Sequence, residues 1–269
     1  MAEGNEANLS GVQEPMRVRL TTAAWLLSAS LLPAQWPSPK TPGLPRTPDG
    51  KPDLAAKAPR TADGMPDLSG LWALPDESYW HDIGVNLRPE GVPLQPWAAA
   101  LYRERRDNEG KDNPIARCMP AGVPTIDNIP TPFKLIQTPA SIAILYEYNM
   151  EYRQIFIDGR RLPDDPNPNW LGYSVGRWDG DTLVVETAGL KDNTWLDLFG
   201  HPATDALRVT ERFQRRDFGH MDLEIAMSDA KAYTKPWRIE LHPHLLPDNE
   251  LLEWICLEGN RGTEHMVGK

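Results

Sequence analysis

After Pro132 the chain changes character, and this change limits the fold more than any other feature. Nine short segments follow one another, rich in β-branched and aromatic residues and often alternating apolar with polar. They run over Phe133–Thr138, Ser141–Tyr148, Tyr152–Asp158, Tyr173–Trp178, Thr182–Ala188, Leu207–Arg215, Met221–Met227, Trp237–His242 and Leu251–Glu258. Turn formers separate several of them, at Tyr148–Glu151, Asp179-Gly180-Asp181, Asp217–Gly219 and Pro247–Asn249. A period of two with tight turns predicts strands paired as hairpins. This many sequential strands manage their edges by closing on themselves or by stacking. The expected fold is therefore mainly β, an antiparallel meander closing as a barrel or sandwich.

Three segments precede the strands. Residues 35–68 form a Pro-rich extended strap with a two-copy repeat, in which Pro45–Leu54 (PRTPDGKPDL) recurs as Pro59–Leu68 (PRTADGMPDL). Asp-Gly followed by Xaa-Pro makes each copy a turn and then an extended piece. Residues 93–108 read as one helix, with Pro96 near its start and Trp97, Leu101 and Arg105 at helical spacing. Residues 118–132, CMPAGVPTIDNIPTP, are too rich in proline for regular structure. One β-barrel-like domain over 69–269, including the helix, is expected.

The N-terminal stretch gives the compartment. Arg17 and Arg19 precede the apolar run Leu20–Leu32, and Pro33-Ala34 offers a cleavage point, so 16–34 reads as a secretory signal peptide. The run is shorter than the roughly 20 residues needed to span a bilayer. Residues 1–15 are acidic, and Met16 is the expected true start. Removing three acids and two arginines with this leader changes the formal net charge from −10 to −9. An acidic chain disfavours nucleic acid and anionic membrane, so membrane contact is expected only through the transient signal peptide. No phosphate-binding loop and no GxGxxG follows a strand, so no nucleotide cofactor is expected. A periplasmic or extracellular location also suits Cys118 and Cys256, the two cysteines of the chain. In an oxidising compartment they most simply form one disulfide.

Strand alternation picks out polar residues on apolar faces. In Leu207–Phe213, Glu211 shares a face with Leu207, Val209 and Phe213, so its carboxylate points into the core. Burying it requires a partner, an arginine from another strand, or else gives it an acid–base role. Glu147 and Arg153 flank a turn and are expected as a cross-strand pair. Arg160 follows in Asp158-Gly-Arg160-Arg161, where it either receives an anion or is simply solvated. Trp195-Leu-Asp197 with His201 is the most site-like loop, because an Asp/His pair can orient a general base. No serine elbow accompanies it. His242-Pro-His244 pairs two imidazoles, but Pro243 interrupts the strand and the other histidines are scattered, so no metal centre is expected.

Two resemblances follow from motifs. Gly70-Leu-Trp72 at the start of the folded region resembles the first strand of lipocalin-like (calycin) barrels, where such a Trp closes one end. PDLSGLW, CMPAGVP, YEYNMEYRQIFIDGR, GRWDGDTLVVET, TWLD, ALRVTERF and WICLEGN, in this order, resemble a family of secreted bacterial β-rich proteins of unassigned activity. That resemblance implies export and a β-rich fold, and supplies no catalytic residue. The chain departs from it at His201–Asp205, where relatives carry a His after the Pro. Three functions remain open. One is binding of a small, partly apolar molecule in a barrel cavity, with Glu211, Arg153 and Trp195 near it and Glu147 and Arg160 as further contacts. Another is metal-independent acid–base catalysis (lyase, isomerase or hydrolase) by Glu211, Asp197 or His201. The last is a structural or interaction domain.

Overall fold

The computed structural model describes residues 39–258. The leader, the signal-peptide reading and the first residues of the strap lie outside them.

Ten strands form one curled sheet, a half-barrel, and three α-helices lie among the described residues. The strands are β1 (Gly70–Ala73), β2 (Phe133–Gln137), β3 (Ser141–Tyr146), β4 (Tyr152–Phe156), β5 (Tyr173–Asp179), β6 (Thr182–Ala188), β7 (Arg208–Arg215), β8 (Met221–Ser228), β9 (Trp237–Leu241) and β10 (His244–Leu245). The helices are α1 (Ser78–His81), α2 (Pro96–Asp107) and α3 (Thr125–Asn128). β2, β3, β7, β8 and β9 alternate buried with exposed or half-buried residues, the pattern of strands with one face on a core. Their inward residues join one apolar cluster with Trp72, Leu68, Ile83, Ile126, Leu196 and Tyr233.

The spatial order is β10-β1-β2-β3-β4-β5-β6-β7-β8-β9. β9 pairs with β8, and past Pro243 the same stretch becomes β10 and pairs with β1. His244 also bridges to His220 just before β8. Pro243 thus lets one length of chain serve both ends of the curl. Gly70 permits this closure, since a Cβ there would lie 2.6 Å from Leu245 Cδ1. Trp72 is fully buried beside it, its indole donating to the Leu68 carbonyl at 3.1 Å, with the Arg215 guanidinium 4.9 Å from the ring.

Two expectations about strands are corrected. The meander is not antiparallel throughout: β4 and β5 run parallel, paired at Ile155↔Ser174 and Phe156↔Val175. Residues 157–172, which include the proline-rich stretch 163–168, return along the strand before β5 begins, the long crossover that a parallel pair requires. Residues 251–258, read as a strand, form irregular chain and a turn. Side chains hold them instead: Leu252 N–H donates to Glu147 Oε2 at 3.1 Å, Trp254 stacks on Tyr148, and Cys256 is disulfide-bonded.

The repeat folds twice into the same module. In each copy a bridge joins Arg46 to Pro52 or Arg60 to Pro66, and the Thr47 or Thr61 N–H donates to Lys51 or Met65 at 2.9 Å. Each arginine then grips an aspartate in a distant turn, Arg46 on Asp248 and Arg60 on Asp181. The strap is a pair of closed turns, each fastened to a distant turn: Arg60 by a two-pronged contact with Asp181, Arg46 by one terminal nitrogen shared between both Asp248 oxygens.

Candidate functional site

Four neighbouring strands each send one polar side chain inward to a common point. Arg153 of β4 donates from Nε to Ser174 Oγ of β5 at 3.1 Å and from Nη2 to Thr187 Oγ1 of β6 at 2.7 Å. It also makes a two-pronged contact with Glu211 of β7, at 2.8 Å from Nη1 to Oε1 and more closely from Nη2 to Oε2. Ser174 and Thr187 are register partners and lie 2.9 Å apart. Glu211 is therefore buried and paired with an arginine from another strand. The partner is Arg153 because Arg153 shares its face of β4 with Ile155, whereas Glu147 lies beyond the end of β3. The expected Glu147–Arg153 pair is not made, and Arg153 faces Ile144 across the ladder.

Asp127 of α3 is a member of this cluster that the sequence reading missed. Its Oδ1 accepts from the Tyr146 hydroxyl at 2.8 Å, and its Oδ2 lies 3.6 Å from Arg153 Nη1 without a hydrogen bond. One guanidinium thus faces two buried carboxylates. Burial, and then the charge of Glu211, push the Asp127 carboxyl up to about 7 against the opposing pull of Arg153. Burial by itself would lower Arg153, but the Glu211 carboxylate overrides it and keeps the guanidinium protonated. The signal for Tyr146 was present, since it continues the inward row Ile142, Ile144. Asp127 was hidden in a proline-rich stretch without periodicity.

The raised Asp127 pKa has a pH consequence. The folded chain holds this proton where the unfolded chain, with an ordinary carboxyl near 3.8, has lost it. The contribution of Asp127 to stability therefore falls as pH rises from about 4 to about 7. Asp127→Asn keeps a neutral acceptor for Tyr146 and removes the titration. The stability of wild type relative to this variant should decline across that window in thermal melts. A difference independent of pH would remove the assignment.

A cleft of about 570 Å³ opens where β4 and β5 separate. Arg153 and Ser174 form part of its lining, together with Tyr152, Phe156, Trp170 and Tyr173. Gly172 turns the wall into β5 at φ +67, and a Cβ there would lie 2.7 Å from Thr187 Cγ2 and 2.9 Å from the Ala188 carbonyl. Met150 and Tyr152 in the lining are 53% and 66% exposed. Glu151, also in the lining, has its carboxyl raised by burial, and its Oε2 is buried without a hydrogen-bond partner.

Asp197 and His201 meet as a second constellation. His201 Nδ1 lies 2.5 Å from Asp197 Oδ2, and the imidazole stacks on Tyr102 with ring centres 3.9 Å apart. Asp197 Oδ2 also accepts from Ile83 N–H at 2.8 Å, and its Oδ1 accepts from the Gly200 and His201 amides at 2.7 and 3.1 Å. Asp82, Asp197 and His201 bring ligand atoms within 4.8 Å of one another. However, the four lone-pair directions of Asp197 are already filled, so it can orient His201 but has no lone pair to give a cation. Neither residue lines the cleft beside β4.

The remaining candidate residues are dispersed. Trp195 is buried under the Arg105 guanidinium, 4.2 Å from the ring centre, and is not part of the cleft. Glu147 holds the 251–258 segment. Arg160 is not part of the cleft lining and is already engaged, bonded to both Asp158 oxygens and to the Tyr173 hydroxyl while lying over Phe156. Cys118 and Cys256 are disulfide-bonded with Cα atoms 5.5 Å apart. Among known proteins, no family model, no curated sequence and no solved structure matches this chain.

Proposed function

We propose that this chain is an exported binding protein that holds a small, partly apolar molecule in the cleft between β4 and the segment leading into β5. The observation that carries the reading is the cleft itself, a concavity of about 570 Å³ with aromatic walls and a few convergent polar groups at its base. The paired state of Glu211 favours binding over proton transfer, because a carboxylate with both oxygens on one guanidinium is a poor base. Relative to the expectation of a ligand deep inside a barrel, the site moves to the seam, since an apolar cluster occupies the inward face. Export is supported by the signal-like stretch 16–34 and by the Cys118–Cys256 disulfide, a bond typical of oxidising compartments.

Native mass spectrometry of the chain expressed with its own leader tests both parts. The recovered polypeptide should begin at Gln35 and carry an added small mass. Tyr152→Ala combined with Trp170→Ala should reduce the occupied fraction at least severalfold while leaving the melting temperature nearly unchanged. An uncleaved N-terminus would end the export reading. A ligand-free mass in every preparation, together with no uptake of an aromatic dye, would end the binding reading.

A further inference from the structure

The geometry points to an extended peptide as the ligand of this cleft, bound as an added strand along the open edge of β4. The inference rests on the binding reading above and narrows it to a chemical class. It starts from the main chain. Across the β3–β4 ladder, Tyr146 N–H donates to the Glu151 carbonyl and Ile157 N–H donates to the Ala140 carbonyl, each at 2.9 Å. In an antiparallel pair such bonds fall on every second residue. Glu151, Arg153, Ile155 and Ile157 therefore direct their main-chain groups to β3. Tyr152, Gln154 and Phe156 direct theirs to the opposite side.

Opposite them, β5 engages only from Ile155↔Ser174 onward. Tyr152 and the N–H of Gln154 lie upstream of that contact and face the cleft. The opposing wall is fixed from behind: Asn169 N–H donates to Gly189 and its carbonyl accepts from Lys191, at 2.9 and 3.2 Å. A row of strand donors and acceptors at a gap in a sheet is a template for another extended chain, the arrangement used in strand addition. A rigid apolar molecule without amides would leave those groups facing the ligand unpaired, at a cost.

Side-chain geometry sets the preferred sequence. A strand laid here would point alternate residues inward and outward. Inward lies the floor of Arg153 and Ser174, both buried, which leaves depth for no more than a small side chain. Outward lie the exposed Tyr152 and the stacked Phe156–Tyr173 rings, whose centres are 5.4 Å apart. Aromatic residues alternating with small ones fit this surface.

Acetyl-Phe-Ala-Phe-Ala-amide is the probe. Its binding is followed by calorimetry beside two isomers, one N-methylated on both Phe and the other on both Ala, and beside the dye 1-anilinonaphthalene-8-sulfonate. The parent peptide should bind and displace the dye. At least one methylated isomer should bind about tenfold more weakly, the effect of losing hydrogen bonds to one edge. Gln154→Pro, which deletes a cleft-facing N–H, should weaken the parent peptide to a similar extent. Because the isomers test the ligand side, the outcome does not depend on that variant folding. Equal affinity for all three peptides, or dye binding with no peptide binding, overturns the peptide assignment and leaves the cleft reading intact. Binding of neither dye nor peptide overturns both.

Discussion

Arg153→Ala should destabilise the protein by about 3–5 kcal/mol, the range found when one partner of a buried ion pair is removed. The substitution leaves Glu211, which is fully buried, and Asp127 with no cation, while Ser174 and Thr187 keep only each other. Acid should relieve part of the loss, because a protonated carboxyl has no charge to leave unpaired. Glu211→Gln with Arg153 retained should cost less, since an uncharged acceptor still meets the guanidinium. The double replacement Arg153→Met with Glu211→Leu should lie close to wild type, because apolar residues of similar volume replace such pairs at little net cost. Urea unfolding of the four chains measures the series. If Arg153→Ala costs less than about 1 kcal/mol, the cluster does not fix the register of β4 to β7. If the double replacement is as unstable as the single one, packing rather than unpaired charge explains the loss.

The parts that were legible in the sequence are those with a short period. Alternation located β2 to β9 to within a few residues and placed Glu211 inward. The same argument applied to Tyr152–Phe156 would have placed Arg153 inward with Ile155. Proximity across a turn suggested Glu147 as its partner, but residues 148–150 form a 3₁₀ turn with Asn149 and Met150 at positive φ, which carries Glu147 out of the ladder. Long-range geometry was not legible. Nothing local distinguishes the return over 157–172 from a long hairpin, so the parallel contact and the cleft beside it were hidden. Asp127 sits between Ile126 and the Asn128–Ile129 pair in a segment whose prolines erase periodicity, and only tertiary packing brings it to Arg153. The segment 251–258 has the composition of a strand, but its apolar residues are held by a disulfide and a ring stack rather than by a ladder. The repeat was plain as a pattern, while its role depended on Asp181 and Asp248, far away in sequence.

Replacing both Cys118 and Cys256 by serine should produce the other large effect. The bond spans 138 residues of sequence, and the chain-entropy model assigns about 5 kcal/mol to a loop of that length. For a domain of this size that corresponds to a fall in melting temperature of about 10–20 °C. The folded state changes too. Cys256 anchors the 251–258 segment, whose other ties are Trp254 on Tyr148, with ring centres 4.8 Å apart, and the Leu252 contact to Glu147. Trp254 is partly exposed, whereas Tyr148 beneath it is buried. Without the bond, the exchange of the 251–258 amides, set against that of β7 and β8, shows whether these contacts hold the segment. Cys118 also stands two residues before Pro120, part of the cleft lining, so releasing it loosens one wall of the proposed site. Melting and hydrogen exchange then separate two cases. A large fall in melting temperature with slow exchange retained at 251–258 means the bond acts through the unfolded chain. A fall of only a few degrees with rapid exchange there means the segment detaches before the sheet unfolds, so that the bond restrains a local opening and not the global one. The buried position of Tyr148 beneath Trp254 favours the first outcome, because detaching the segment would expose that ring to water.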